Sequence, residues 1–273
     1  MEDEALLLAE EVIREYSLIT RKLLDNTISI GKEIAQRNLG MLLVYHSITI
    51  ANAKSLVGEI QEIHKKSLMT NRETSCDFNM LRLFSIGETQ HSYLLAYFLN
   101  PNEAHGQGHL FLNIFLDLLE IDRRHDSENW IITAEKGRID VLLKRVHPHS
   151  VVVIENKSNY AKDQDHQLYR YWHQEIYRTI CERHLPENYI SNPPRQLYQL
   201  LYLSPGDWKI PSTNTLTKPI GWDEKLPKKV PIEARHLLFR DFVCDWLTRS
   251  LDRLPKDNYR IREYVKQYIE YWN

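Results

Sequence analysis

Glycine and proline are scarce in this chain of 273 residues, which contains 9 glycines and 11 prolines. Their joint share lies well below the roughly 12% of average usage, so long flexible linkers and turn-dense all-β folds are disfavoured and helix-rich architectures are favoured. Hydrophobic residues make up 42% and charged residues 26% of the chain, which excludes disordered and fibrous proteins. The composition is typical of one or two globular domains.

Cysteines and long apolar runs are also few. The three cysteines, Cys76, Cys181 and Cys244, include no CxxC pair, so neither a zinc site nor a thioredoxin-like site is expected. The N-terminus is acidic where a signal peptide would be basic. The longest stretch without a charged residue, 38–53, is shorter than the roughly 20 apolar residues that cross a membrane. We therefore expect a cytoplasmic protein with no membrane partner.

Charge of one sign is not in excess. The chain has 35 Lys and Arg against 37 Asp and Glu, which gives a net charge of −2. No global basic field points to a polyanion, and a histone-like, non-specific binder is disfavoured. Any contact with nucleic acid must come from a local patch.

The first 75 residues carry the pattern of long amphipathic helices, with spacings that alternate between three and four. The first stripe comprises Leu6, Ala9, Ile13, Tyr16, Thr20, Leu23, Thr27, Ile30 and Ile34. A second stripe spans 43–60, and Asn38 and Gly40 between them are a C-cap signal. The sequence thus predicts a hairpin of two long helices over 1–75. It leaves open whether this hairpin is core for the rest of the protein or a module for dimerisation or partner binding.

From residue 76 onward the pattern indicates a second, mixed α/β domain over 76–273. Apolar periodicity and Pro or Gly breakers predict helices at 89–99, 109–119, 164–183, 239–254 and 259–271. Runs rich in β-branched residues predict strands at 130–133, 138–145, 151–156 and 197–203.

Two carboxylates and an ammonium fall in this predicted sheet. Asp140 lies in an apolar strand, where an uncompensated charge is costly to bury. Glu155 ends the next strand, and Lys157 shares its face because strand side chains alternate. A hairpin that brings these strands together makes a site for Mg²⁺, which takes one or two carboxylates and lowers the pKa of a bound water. The pattern favours phosphodiester hydrolysis, with a cross-strand salt bridge as the alternative.

The order of these residues resembles the PD-(D/E)XK nuclease superfamily. The segments GRID at 137–140 and IENK at 154–157 are similar to its two catalytic strands. Gln167 and Tyr171 are similar to the QxxxY element of its RecB-like branch. The resemblance is clearest over 78–171 and weakens toward the C-terminus.

The resemblance implies a restriction-endonuclease-like α/β fold, with a central mixed sheet flanked by helices and preceded here by the helical hairpin. It implies a Mg²⁺-dependent deoxyribonuclease, with Mn²⁺ as a substitute, that hydrolyses DNA by metal-activated water and serves in bacterial defence. Two alternatives stay open: an inactive nuclease-like module that binds nucleic acid or a partner protein, and a purely structural protein. A homodimer through the N-terminal helices is a further expectation.

The resemblance also assigns roles to single residues of this sequence. The implied metal ligands are Asp140, Glu155 and Glu88. The other implied catalytic residues are Lys157, which positions water or stabilises the transition state, and Gln167 and Tyr171, which brace the site or touch the DNA backbone. The candidate substrate-binding residues, each with a structural role as its alternative, are His91, His105 and Arg138.

Overall fold

The computed structural model describes residues 2–121 and 129–273, with side chains from residue 10 onward in the first helix. The chain divides into two units, Met1–Asp77 and Phe78–Asn273. No helix in the described part combines the length and apolarity needed to cross a membrane.

The first unit is one continuous helix of 73 residues, α1 (Glu2–Thr74). The predicted hairpin is therefore wrong, because the helix passes through Asn38 and Gly40 without a turn. A glycine inside a helix costs only about 1 kcal/mol relative to alanine, and no proline occurs in this segment. The two residues are thus too weak a signal to end a helix whose neighbours are good helix formers. The side chains of Leu6 and Ala9, the first members of the predicted stripe, lie outside the described residues.

The apolar side chains of α1 are exposed within this unit. Ile13, Leu23 and Ile34 of the predicted stripe each leave more than half of their surface accessible. A helix with so long an apolar stripe has little stability of its own in water, because helices in proteins gain most of their stability from packing.

The second unit is built on a mixed five-stranded sheet, as predicted. Its strands are β1 (Trp130–Lys136), β2 (Ile139–Arg145), β3 (Ser150–Asn156), β4 (Tyr198–Ser204) and β5 (Ala234–Leu238). They are ordered β1-β2-β3-β4-β5 in space, with antiparallel pairing from β1 to β3 and parallel pairing from β3 to β5. The edge strand β5 is an addition to the four strands expected from the sequence.

Helices cover both faces of the sheet, which confirms the expected restriction-endonuclease-like architecture. They are α2 (Met80–Leu83), α3 (Glu88–Leu99), α4 (Leu110–Leu118), α5 (Gln167–Trp172), α6 (Arg178–Glu182), α7 (Asn188–Ser191), α8 (Cys244–Arg253) and α9 (Tyr259–Trp272). A π-helical segment, His173–Tyr177, joins α5 to α6. A second, Phe239–Val243, leads into α8, and a 3-10 turn occupies Thr213–Leu216.

Each face of the sheet packs into its own core. One core joins α3, α4, α8 and α9 to the sheet around Phe98, Phe115 and Trp246. The other joins α5 and its π-helical extension around Tyr169 and Trp172. Because both faces are covered, all seven residues of β3 and of β4 are buried, as is typical of strands inside parallel sheets.

A glycine substitution in α1 distinguishes a continuous helix from a hairpin. A side-chain carbon added at Gly40 would meet no other atom within 4 Å, and the backbone at this position lies outside the left-handed region. We expect Gly40→Ala to stabilise the helix by about 0.5–1 kcal/mol, because alanine has less backbone entropy to lose. Hydrogen–deuterium exchange should therefore slow two- to five-fold around residue 40.

Gly58→Ala is the matched control, because Gly58 lies inside a helix in both the continuous and the hairpin arrangement. It should slow exchange around residue 58 to a similar degree. Faster exchange in Gly40→Ala together with slower exchange in Gly58→Ala contradicts the continuous helix and favours a turn.

Candidate active site

The two sequence-predicted carboxylates meet at the C-terminal end of β3. The register pairs Val141 of β2 with Ile154 of β3, so one step further along Asp140 stands opposite Glu155. Side chains opposite each other in an antiparallel pair share a face and lie about 5 Å apart. Lys157 follows Glu155 by two residues on that face. Carboxyl ends of parallel strands are where α/β sheets commonly bind ligands, and β3 is parallel to β4.

Asp140 is held by the backbone of the neighbouring strand. Its Oδ2 accepts a hydrogen bond from the amide of Asn156 at 2.6 Å. Burial raises the pKa of Asp140 to about 6, although the Asn156 amide and Lys157 act in the opposite direction. The nearby charges of Glu135 and Glu88 add to the increase. Burial of the carboxyl group therefore outweighs the favourable contacts that it makes.

Glu155 and Lys157 form a buried ion pair. The Lys157 Nζ lies 2.5 Å from the Glu155 Oε1, with 6% of the lysine and 1% of the glutamate side chain exposed. Burial, and then the charge of Asp140, raises the pKa of Glu155 to about 8. Burial alone would lower the pKa of Lys157, but Glu155 and Asp140 raise it overall, so the ammonium stays protonated at neutral pH.

This donor set fits a hard divalent cation. The second oxygen of Glu155, Oε2, is buried and has no hydrogen-bond partner among the described residues. An unpaired carboxylate oxygen is costly to bury, and a cation would compensate it. Within the described part, no group of three or more Asp, Glu, His or Cys side chains is placed to hold a metal. Mg²⁺ nevertheless needs only one or two carboxylates, because it keeps several waters.

Glu88 lies beside this pair but is engaged elsewhere. It begins α3, and its Oε1 accepts hydrogen bonds from the amides of Asn159 and Ala161 at 3.2 and 3.4 Å. These amides belong to the loop that follows Lys157. Glu88 therefore fixes that loop, while its charge also raises the pKa of Asp140. Its role as a metal ligand stays a prediction.

Gln167 and Tyr171 brace the turn that precedes Asp140. They lie four residues apart on α5, so they share one helix face. The amide of Gln167 donates to the Tyr171 hydroxyl at 2.7 Å, and that hydroxyl donates to the carbonyl of Arg138. Through this relay, α5 holds the β1–β2 turn against the carboxylate site.

A profile of the PD-(D/E)XK nuclease superfamily matches residues 78–271, well over half of the chain. The chain belongs to the PD-(D/E)XK nuclease superfamily. No curated protein and no solved structure shows a significant match. The match begins where the second unit begins, at Phe78, so this unit is the nuclease-superfamily domain.

His91 is not brought to the carboxylate site of the nuclease domain. Its ring is fully buried on the opposite side of the sheet, where its Nδ1 lies 2.9 Å from the Tyr268 hydroxyl. Phe239 and Trp272 pack against the same ring. Burial lowers the pKa of His91 to about 4, so the ring is neutral at physiological pH. The structure thus gives His91 a packing role, because its apolar neighbours separate it from the sheet end.

The other two candidate substrate-binding residues differ in placement. His105 is buried within its own loop, with Nε2 at 3.0 Å from the carbonyl of Asn100 and Nδ1 accepting from the amide of Gln107. The structure does not bring it to the site either. Arg138 is exposed in the β1–β2 turn, two residues before Asp140 and with a left-handed φ of 68°. Its contact with substrate stays a prediction.

Two further parts of the nuclease-domain site were missed by sequence reasoning. Asn156 donates through its side chain to the Glu88 carbonyl at 2.8 Å and to the Ser92 hydroxyl at 3.1 Å. It thereby ties α3 to β3, and its place inside the IENK segment was an available signal. Tyr202 on β4 pairs in register with Glu155 and donates to Asp163 at 2.7 Å. No local pattern signals that contact, because it joins distant segments.

Proposed function

We propose that this chain is a metal-dependent deoxyribonuclease that hydrolyses phosphodiester bonds at Asp140, Glu155 and Lys157. The observation that carries the proposal is the pair of opposed carboxylates, Glu155 buried and Asp140 half-buried, with an ammonium 2.5 Å from Glu155. Negative charge that is buried without full compensation is expensive, and a cation bound to substrate phosphate would offset it. Membership of a nuclease superfamily supports the same chemistry.

Each residue of the site has its own role in the proposed reaction. Asp140 and Glu155 would hold Mg²⁺, or Mn²⁺ in its place, which supplies an acidified water and positive charge at the phosphate. The Asn156 amide keeps Asp140 in position. Lys157, protonated because its acidic neighbours raise its pKa, donates hydrogen bonds to the attacking water or to a phosphate oxygen as negative charge develops there.

The surroundings of the site support a polyanionic substrate. Arg138 presents an exposed guanidinium at the β1–β2 turn, where it would contact a phosphate. Tyr171 holds the backbone of the same residue in place. DNA as substrate, and a role in bacterial defence, rest on the family resemblance. The cysteines Cys76, Cys181 and Cys244 are free, which supports our proposal of a reducing cytoplasm.

The proposed function is tested by cleavage of supercoiled plasmid and of a labelled single strand with Mg²⁺, Mn²⁺ or EDTA. We expect wild-type protein to cleave only with metal. Asp140→Asn and Lys157→Met should each lower the rate at least about 100-fold, because the first removes a metal ligand and the second removes the ammonium that stabilises the developing negative charge.

Glu182→Gln is the matched control for Asp140→Asn. It also removes a carboxylate charge, but from an exposed pair with Arg178 on α6, so it should leave the rate unchanged. Cleavage that survives in Asp140→Asn contradicts the site. A wild-type protein that binds DNA yet cleaves neither substrate with either metal favours the binding-module alternative.

We also propose that α1 pairs with the α1 of a second copy. Its exposed apolar stripe needs a partner, and a second copy offers the same stripe. In an antiparallel pairing that overlaps the whole helix, residues i and 76 − i stand opposite each other. Glu10 and Glu11 then meet Lys66 and Lys65 of the second copy, and Arg14 meets its Glu62. The same register places Lys22 opposite Lys54, but opposite-charge pairs outnumber like-charge pairs between residues 10 and 66, which favours the antiparallel arrangement.

Light scattering on the full chain tests this pairing. We expect twice the 32.5 kDa mass of one chain. Reversing Glu10 and Glu11 to Lys should weaken the dimer several-fold, because it places like charges opposite each other. Adding Lys65→Glu and Lys66→Glu to the same chain should restore it. A monomer at all concentrations contradicts dimerisation, and charge reversal without effect contradicts the antiparallel register.

A further inference from the structure

Two exposed aromatic rings stack on each other beside the carboxylate site. Tyr160 and Trp208 have ring centroids 4.7 Å apart and planes within 9° of parallel. They remain 46% and 66% exposed, respectively. Tyr160 follows Lys157 by three residues and lies in the loop after β3, whereas Trp208 lies in the loop after β4. Both loops leave the carboxyl ends of parallel strands, next to Glu155.

The loop that carries Tyr160 is fixed on both sides of the ring. Glu88 accepts hydrogen bonds from the amides of Asn159 and Ala161, the two chain neighbours of Tyr160. The amide of Tyr160 itself donates to the carbonyl of Lys157 at 3.0 Å. Tyr160 has a left-handed φ of 61°, a conformation that a bulky residue adopts only where its surroundings impose it. The hydrogen bonds of this loop thus keep the Tyr160 ring exposed to solvent.

The loop that carries Trp208 is shaped to bring the indole back over Tyr160. A side-chain carbon at Gly206 would lie 2.8 Å from the Trp208 Nε1, so glycine leaves the space that the indole needs. The carbonyl of Gly206 accepts from the amide of Lys209 at 3.2 Å, which closes the turn around Trp208. Any larger residue at position 206 would push the indole away from the stack.

Asp163 clamps the two loops together. It lies in the Tyr160 loop, and its Oδ2 accepts from the amide of Ser212 at 2.7 Å. Its Oδ1 accepts from Tyr202 at 2.7 Å and lies 3.3 Å from the Lys209 ammonium. Tyr202 stands in register with Glu155. The clamp therefore ties the loops of the aromatic pair to each other and to β4, the strand beside Glu155, and fixes both loops before any ligand arrives.

We propose that Tyr160 and Trp208 form a stacking platform that binds an unpaired nucleobase next to the bond that is cut. The outer face of Trp208, the more exposed ring, is the surface for the base. Exposed aromatic rings beside a positively charged group are how proteins bind single strands without reading sequence, because every base has a π-face. Lys162, exposed in the Tyr160 loop, supplies a cation for the backbone.

The inference rests on the nuclease function proposed above and narrows its substrate. In a continuous duplex the faces of the bases are covered by their neighbours. The platform therefore selects single strands, flaps or frayed ends over blunt, fully paired DNA. It predicts no preference among the four bases.

The test is fluorescence anisotropy with a labelled single-stranded oligonucleotide and a blunt duplex of equal length, in EDTA so that no hydrolysis occurs. Wild-type protein should bind the single strand more tightly. Trp208→Ala and Tyr160→Ala should each reduce the ratio of single-strand to duplex affinity by about 5- to 100-fold. Trp208→Phe, which keeps an aromatic face, should retain most of the ratio.

Tyr259→Ala is the matched control, because Tyr259 is an exposed aromatic on α9 and outside the platform. It should leave the ratio at the wild-type value. A wild-type protein without preference for the single strand, or a ratio unchanged in Trp208→Ala, overturns the platform. These outcomes are independent of cleavage. If the ratio of single-strand to duplex affinity falls in Trp208→Ala, the platform is supported even when the wild-type protein cleaves no substrate. If the ratio is unchanged in Trp208→Ala, the platform is contradicted even when the wild-type protein cleaves DNA.

Discussion

The structure of the nuclease domain depends on two carboxyl groups that lie opposite each other on neighbouring strands, with Glu155 buried and Asp140 half-buried. The β2–β3 register places Asp140 opposite Glu155, and only one ammonium, that of Lys157, lies in direct contact with this pair among the described residues. Burial raises the pKa values of both acids, and neighbouring carboxylates add to the increase. Ionised carboxylates are unfavourable in this site unless a cation compensates them, so the site is suited to bind a cation.

The elements around the site supply the rigidity that this arrangement requires. Asn156 donates from its backbone to Asp140 and from its side chain to α3. Tyr171 of α5, which packs on the sheet face opposite α3, anchors the turn before Asp140. Glu88 anchors the loop after Lys157. The polar contacts thus run outward from one strand end to three separate segments. Such convergence on fixed elements is what precise positioning of reacting groups demands.

Local sequence signals accounted for much of the second unit. The β-branched run 151–154 predicted the strand β3, and the four-residue spacing of Gln167 and Tyr171 predicted a shared helix face, because both signals lie within a few residues. The opposed placement of Asp140 and Glu155 followed once a hairpin was assumed. The strand β5 was missed because its five half-buried residues at the sheet edge form too short a pattern.

Non-local contacts and marginal local energies explain the remaining differences. The clamp of Asp163 on Tyr202 joins residues 39 positions apart, and no spacing rule connects them. His91 resembled a site residue because it lies one helical turn from Glu88, yet the aromatic residues of α9 bury it. The turn expected near Gly40 failed because one glycine costs a helix only about 1 kcal/mol.

The central claim is that Asp140 and Glu155 together bind a divalent cation. Isothermal titration calorimetry with Mn²⁺ tests it most directly, with no nucleic acid present. At pH 8.5 we predict binding that weakens at least about ten-fold in both Asp140→Asn and Glu155→Gln, and that is unchanged in Glu182→Gln. At pH 6 wild-type affinity should fall, because carboxyl groups with pKa values of about 6 and 8 must lose protons to bind metal. Equal affinity in wild type and both site variants would contradict the account.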